Sequence, residues 1–67
     1  MSVLKVIELM ASSEKSWEDA AHAAVKMASK TINGIRSVYI KDMSGVVKGD
    51  KIVEYRVNAK VSFEVLH

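Results

Sequence analysis

The stretch Ile52-Val-Glu-Tyr-Arg-Val-Asn-Ala-Lys-Val-Ser-Phe-Glu-Val-Leu66 decides the fold of this chain. From Val53 to Val65 every odd position is apolar (Val53, Tyr55, Val57, Ala59, Val61, Phe63, Val65) and every even position is polar (Glu54, Arg56, Asn58, Lys60, Ser62, Glu64). A period of two marks a β-strand with one dry face and one wet or partner-facing face. At a rise of about 3.3 Å per residue, a strand from Ile52 to Leu66 extends roughly 50 Å, several times the common length. A chain of 67 residues cannot cover that much strand surface alone, so the length predicts that other copies of the chain cover it.

Upstream, Ile35 to Ser44 reads as a second strand, with Val38 and Ile40 on one face and Ser37, Tyr39 and Lys41 on the other. Gly45 and the Gly49-Asp50 pair frame a turn between the two, which predicts an antiparallel hairpin. Ser2 to Met10 is a further strand, apolar on both faces through Val3, Leu4, Val6, Ile7, Leu9 and Met10, and therefore expected to be central or covered on both sides. Ala11, Ser12 and Ser13 break that run. Ser16 can then cap a helix, with Glu18 and Asp19 at the positive end of its dipole. Trp17, Ala21, Ala24, Ala28 and Ile32 fall on one helical face, widened by Ala20, Val25 and Met27, and small alanines let a helix approach a sheet closely. Lys26 and Lys30 suit the negative end of the dipole, Gly34 fits a C-prime position, and the helix is expected over 16–33. The chain is thus a single α+β domain over 1–67, ordered strand, helix, strand, strand. Its helix lies across the dry sheet face of Tyr55, Val57, Ala59, Val61 and Phe63, and Arg56, Asn58 and Lys60 point the other way.

A domain this small buries only about 60% of its extended-chain surface, so it usually needs a supplement to its core. The chain has no cysteine, which excludes disulfides, and no His/Cys cluster suggests structural zinc. Self-association is the remaining common supplement. The net charge of +2 is dispersed, without the basic stripe of a nucleic-acid grip. No apolar run approaches the ~18 residues of a membrane span, and no signal peptide opens the chain, so neither nucleic acid nor membrane is expected as a partner and the cytoplasm is the expected location.

The chemistry-bearing residues are few. His22 stands mid-helix without a second histidine one turn away, and His67 ends the chain. Glu18 and Asp19 are explained by capping. Asp42 and Asp50 bracket the hairpin turn, where aspartate serves the backbone and could also serve a weak cation site. Trp17 suits a core or staple role at the helix start. Tyr39 and Arg56, on the outward sheet face, suit either a planar or anionic ligand or a subunit contact. No nucleophile, base and metal set can be assembled, so no enzyme is expected.

Leu4-Lys5-Val6-Ile7-Glu8, the Ser12-Ser13 approach to Ser16-Trp17-Glu18-Asp19-Ala20-Ala21, Ala28-Ser29-Lys30-Thr31, Glu54-Tyr55-Arg56-Val57 and Val61-Ser62-Phe63 together resemble the dodecin family over nearly the whole chain. The resemblance implies a β-α-β-β protomer, its three-stranded antiparallel sheet wrapping one helix, built into a hollow homododecamer. It also implies storage of flavin (riboflavin or FMN) in stacked pairs between subunits, held by a strand-two tryptophan and a strand-three glutamine. Here Ser37 stands at the tryptophan position and Arg56 at the glutamine. Serine supplies no aromatic stacking, and arginine donates hydrogen bonds but accepts none. The inherited pocket is therefore expected to carry Ser37, Tyr39 and Arg56 around a small-molecule, flavin-type ligand without either family contact. Ile35-Arg36-Ser37-Val38 resembles a divergent branch that lacks the tryptophan and is associated with calcium. The alternative is accordingly a calcium- or cation-binding shell, with acids such as Asp42, Asp50 or Glu64 serving the ion.

Overall fold

The computed structural model describes residues 3–65. Strand β1 runs Val3–Ser13, helix α1 Trp17–Ser29, strand β2 Ile35–Lys48 and strand β3 Lys51–Val65. The sheet order is β1-β3-β2, with both neighbours antiparallel to β3. The alternating strand is thus the centre of the sheet, and the Cα framework is 51 Å long, 19 Å wide and 13 Å thick. Expected strand residues Ser2 and Leu66, and terminal His67, lie outside the described residues.

The helix begins where expected. Ser16 Oγ accepts from the Asp19 amide at 2.9 Å, and Ser13 Oγ donates to the Asp19 carboxylate at 2.7 Å, so the cap is tied to the end of β1. The helix stops at Ser29, four residues short of the expected end. Thr31 and Ile32 are β-branched and lose side-chain freedom in a helix. The chain closes instead through bonds from the Thr31 and Ile32 amides to the Ala28 carbonyl at 3.2 and 3.0 Å. Gly34 is therefore not the helix C-prime residue. It holds φ 76° in the connection to β2, and its carbonyl accepts from the Glu64 amide at 3.0 Å.

Three strand expectations need correction. β1 continues through Ala11, Ser12 and Ser13, because Val57, Arg56 and Tyr55 on β3 supply backbone partners there. β1 is also an edge strand, not a central one: Ile7, Leu9 and Ala11 are partly covered on the helix side while Leu4, Val6 and Met10 stand exposed on the other. β2 runs on past Gly45 to Lys48, so the turn is only Gly49-Asp50. Gly49 carries φ 66°, the positive value that tight hairpin turns require. Gly45 pairs with Tyr55, and a Cβ there would meet Ile52 Cγ2 at 3.1 Å.

Register explains that approach. Between Val46 and Val47 the pairing with β3 jumps from Glu54 to Ile52, leaving Val53 unpaired. One extra residue in a strand reverses the faces beyond it. Ile52 thereby joins the face of Tyr55 and Gly45, and the sequence alternation is not carried to the end of the strand. Two more shifts, at Arg36 and Lys41, act on β2.

The core is small. Ala20, Ala24 and Ala28 of α1 are buried against Val57, Ala59 and Val61 of β3, and among the described residues nothing larger than valine is fully buried. The helix packs chiefly on β1 and β3 and touches little of β2. Of the expected apolar stripe, Met27 is the member that fails: it is exposed, because Ala20-Ala24-Ala28 forms the true centre of the contact. Beyond Tyr55 there is no β1 partner, so Val46–Lys48 and Lys51–Glu54 project as a two-stranded arm. Val47, Ile52 and Val53 are exposed on this arm, which is a marginal structure on its own.

Candidate functional site

The pairings place side chains in rows on the sheet face opposite the helix. From the arm inward these are Val46–Glu54, Ser44–Arg56–Ser12, Asp42–Asn58–Met10, Tyr39–Lys60–Glu8 and Ser37–Ser62–Val6. Ser37, Tyr39 and Arg56 therefore share one face. Ser37 and Tyr39 lie in adjacent rows, with the Ser37 hydroxyl bonded to that of Ser62 at 2.5 Å. Arg56 stands apart: its position on β3 is four residues from Lys60 and six from Ser62, or about 13 and 20 Å along a strand. A single protomer does not bring the three together.

Most charges on this face are already matched. Arg56 Nε lies 3.0 Å from the Glu54 carboxylate, Arg36 Nη2 lies 2.8 Å from that of Glu64, and Lys41 Nζ lies 3.4 Å from that of Glu8. The sequence contained the signal for the first pair, since Glu54 and Arg56 are two apart on one strand face. Arg36–Glu64 and Lys41–Glu8 were not legible, because they depend on the two shifts in β2. The pairs are partly exposed, so each contributes at most about 1 kcal/mol to stability.

The acids named for a cation are dispersed. Asp42 faces Asn58, Asp50 occupies the turn, and Glu64 is engaged by Arg36. Among the described residues, no group of three His, Cys, Asp or Glu side chains converges to hold a metal ion. His22 is exposed and 3.8 Å from Glu18, one helical turn away.

On the helix side, Trp17 has the structural place expected of it. Its ring meets that of Tyr55 edge-on at 4.7 Å, and its indole N–H donates to the Ser44 carbonyl at 2.8 Å. A groove of about 440 Å³ opens beside it toward Ile40, Met43 and Val57, where α1 leaves β2 uncovered. Met43 and Val38 are exposed on this side.

Comparison with known proteins matches this architecture. The family model described as Dodecin matches residues 3–66. A relative named Calcium dodecin, from Mycobacterium tuberculosis, is 35% identical over 65 residues, covering 97% of this chain and 92% of the relative. A mutant structure of the Thermus thermophilus dodecin superposes with a TM-score of 0.94 at 30% identity, over 100% of both chains. Dodecin from Streptomyces coelicolor shares the fold, with a TM-score of 0.92 at 20% identity over 98% of this chain and 94% of that one. The alternating central strand, the β-α-β-β order and the end-to-end match lead to one conclusion: the chain belongs to the dodecin family of small binding proteins.

Proposed function

We propose that this chain assembles as a homododecamer and acts as a non-catalytic binding or storage protein, sequestering a small flavin-type ligand in a pocket shared between subunits. The observation that carries the reading is the inversion of burial. The fully buried core holds only alanine and valine, while Leu4, Val6, Met10, Met27, Met43, Val47 and Ile52 are exposed. Large apolar side chains in such number on a small chain mark surface that a partner covers. Ser37, Tyr39 and Arg56 line the pocket in this reading. Their spread along one protomer supports a pocket completed by a neighbour, as the family resemblance implies. Tyr39, 65% exposed, is the one aromatic on the helix-free face of β2, and it takes over part of the stacking that Ser37 cannot provide.

Titration of riboflavin with the purified protein tests the ligand. Loss of the tryptophan contact, one stacking contribution of about 0.5–1.5 kcal/mol, predicts quenching of flavin fluorescence only at a protein concentration roughly two- to tenfold above that needed by a tryptophan-bearing relative. Riboflavin left unquenched at the highest attainable concentration refutes flavin storage.

A second reading, a calcium- or cation-binding shell, is favoured by the Calcium dodecin relative and by Asp42 and Asn58, two oxygen-bearing residues paired in register across β2 and β3. Calcium takes six to eight oxygens, so symmetry copies would have to complete the site. Here the melting temperature rises with calcium and falls with chelator as mass action requires. No change in either direction removes this reading.

A further inference from the structure

The chain carries two asparagines and no glutamine, and the fold puts the two asparagines in opposite surroundings. Asn58 lies within the central strand, paired with Met10 on one side and Asp42 on the other. The residue after it, Ala59, is fully buried. Asn33 lies in the connection between α1 and β2, where it is exposed and is followed by the exposed Gly34.

The early end of the helix creates this difference. Had α1 run to residue 33, the Gly34 amide would have been tied to a carbonyl of the last helical turn. Instead the closing bonds come from the Lys30, Thr31 and Ile32 amides. Among the described residues, neither the Gly34 amide nor the Asn33 side chain forms a hydrogen bond, whereas the Gly34 carbonyl accepts from the Glu64 amide. Gly34 has no side chain to shield its nitrogen, and at φ 76° it holds a conformation that a residue with a Cβ rarely adopts. An unbonded, solvent-open amide nitrogen thus follows directly on a free carboxamide.

The geometry points to Asn33-Gly34 as a site of spontaneous covalent modification, with water as its only co-reactant. The Gly34 nitrogen attacks Asn33 Cγ. The N–Cγ bond forms, the Cγ–Nδ2 bond breaks, and the side-chain nitrogen leaves as ammonia, taking the proton given up by the Gly34 amide. The product is a cyclic imide, a succinimide, and water then opens it at either carbonyl. Cleavage between Gly34 N and Cγ yields aspartate. Cleavage between Gly34 N and the main-chain carbon of Asn33 yields isoaspartate, whose main chain runs through Cβ and Cγ. Nothing is oxidised or reduced. Aspartate only adds charge at an exposed position, whereas isoaspartate lengthens the main chain by one carbon just before Gly34. The Gly34 carbonyl is held by the Glu64 amide at 3.0 Å, and Ile35 is the first residue of β2 in register with β3, opposite Phe63. The longer chain displaces this anchor and loosens the start of β2.

The test incubates the purified protein at mildly alkaline pH, where the amide nitrogen gives up its proton more readily. Trypsin then releases Asn33 in peptide 31–36 and Asn58 in peptide 57–60, which are separated by chromatography and weighed. Peptide 31–36 is expected to yield two acid forms of equal mass at least about tenfold faster than peptide 57–60 is modified, because a buried ladder opens rarely. An isoaspartate-specific methyltransferase labels one of the two. Asn33→Gln is expected to stay unmodified, since glutamine would have to close a larger ring. Modification of peptide 31–36 no faster than of peptide 57–60, or far slower in the native than in the denatured protein, overturns the site. Protein rich in isoaspartate is expected to melt roughly 2–12 °C below Asn33→Asp, which carries the charge without the longer main chain. Equal melting temperatures overturn the anchoring effect on β2.

Discussion

Replacing Ala59 by leucine lowers the melting temperature by roughly 4–24 °C. Ala59 is fully buried in the middle of β3, flanked by Leu9 on β1 and Ile40 on β2, and it lies directly under the alanine stripe of α1. The stripe of Ala20, Ala24 and Ala28 exists because the helix axis must come close to the sheet, and a leucine beneath it acts as a wedge. Overpacking a tight core costs typically 1–3 kcal/mol, and in a domain of this size each kcal/mol shifts the melting temperature by about 4–8 °C. Neither groove beside the helix is lined by Ala59, so the added atoms have no void to enter. Thermal unfolding followed by far-ultraviolet circular dichroism checks the result, and a change of less than about 2 °C would mean that the helix–sheet contact is looser than the structure shows.

The second large effect is at the arm. Val47→Glu leaves the folded protomer almost unchanged, because Val47 is 61% exposed in the single chain and exposed substitutions usually lie within about 0.5 kcal/mol of neutral. Its effect appears in assembly. The arm formed by Val46–Lys48 and Lys51–Glu54 has no β1 strand beside it and presents Val47 and Ile52 as a cross-strand apolar pair. If a neighbouring copy covers that pair, glutamate there is buried without a partner, at a cost of several kcal/mol per contact. A penalty of that size weakens each contact by about a hundredfold or more, and a closed shell repeats it at every protomer. Size-exclusion chromatography with unchanged circular dichroism is expected to show small species in place of the large one. Lys51→Glu at the already polar end of the same arm is the control for added negative charge. An intact assembly in Val47→Glu would show that the arm is not an interface.

Much of this was legible in the sequence, for reasons that differ by element. The odd positions from Tyr55 to Phe63 face the helix as expected, because burial of one face enforces register wherever alternation is strict. The Ser16 cap was legible because it is a local bond between near neighbours. The length of β2 was not. Gly45 reads as a turn residue, and only the pairing with Tyr55 and the approach of Ile52 show that it is a mid-strand position where a side chain would crowd. The rank of β1 was misread for a related reason. Its two apolar faces imply cover on both sides, and within one protomer only one face has it; the proposed assembly would cover the other. The candidate site was legible as a face and not as a place. Parity put Ser37, Tyr39 and Arg56 on the same side, but parity carries no distance, and the shifts at Arg36 and Lys41 that decide which charges meet leave no mark in composition or spacing.

The two exposed edges of the sheet, the arm and the uncovered side of β2 all leave apolar surface open in the single chain, as the proposed assembly requires. Family membership supplies the expected completion. Native mass spectrometry of the purified protein, sprayed from a volatile buffer at micromolar concentration, tests this most directly. The expected mass is twelve times the 7.4 kDa of the protomer plus whatever small molecule remains bound, and a spectrum dominated by single protomers, with no higher species, would contradict it.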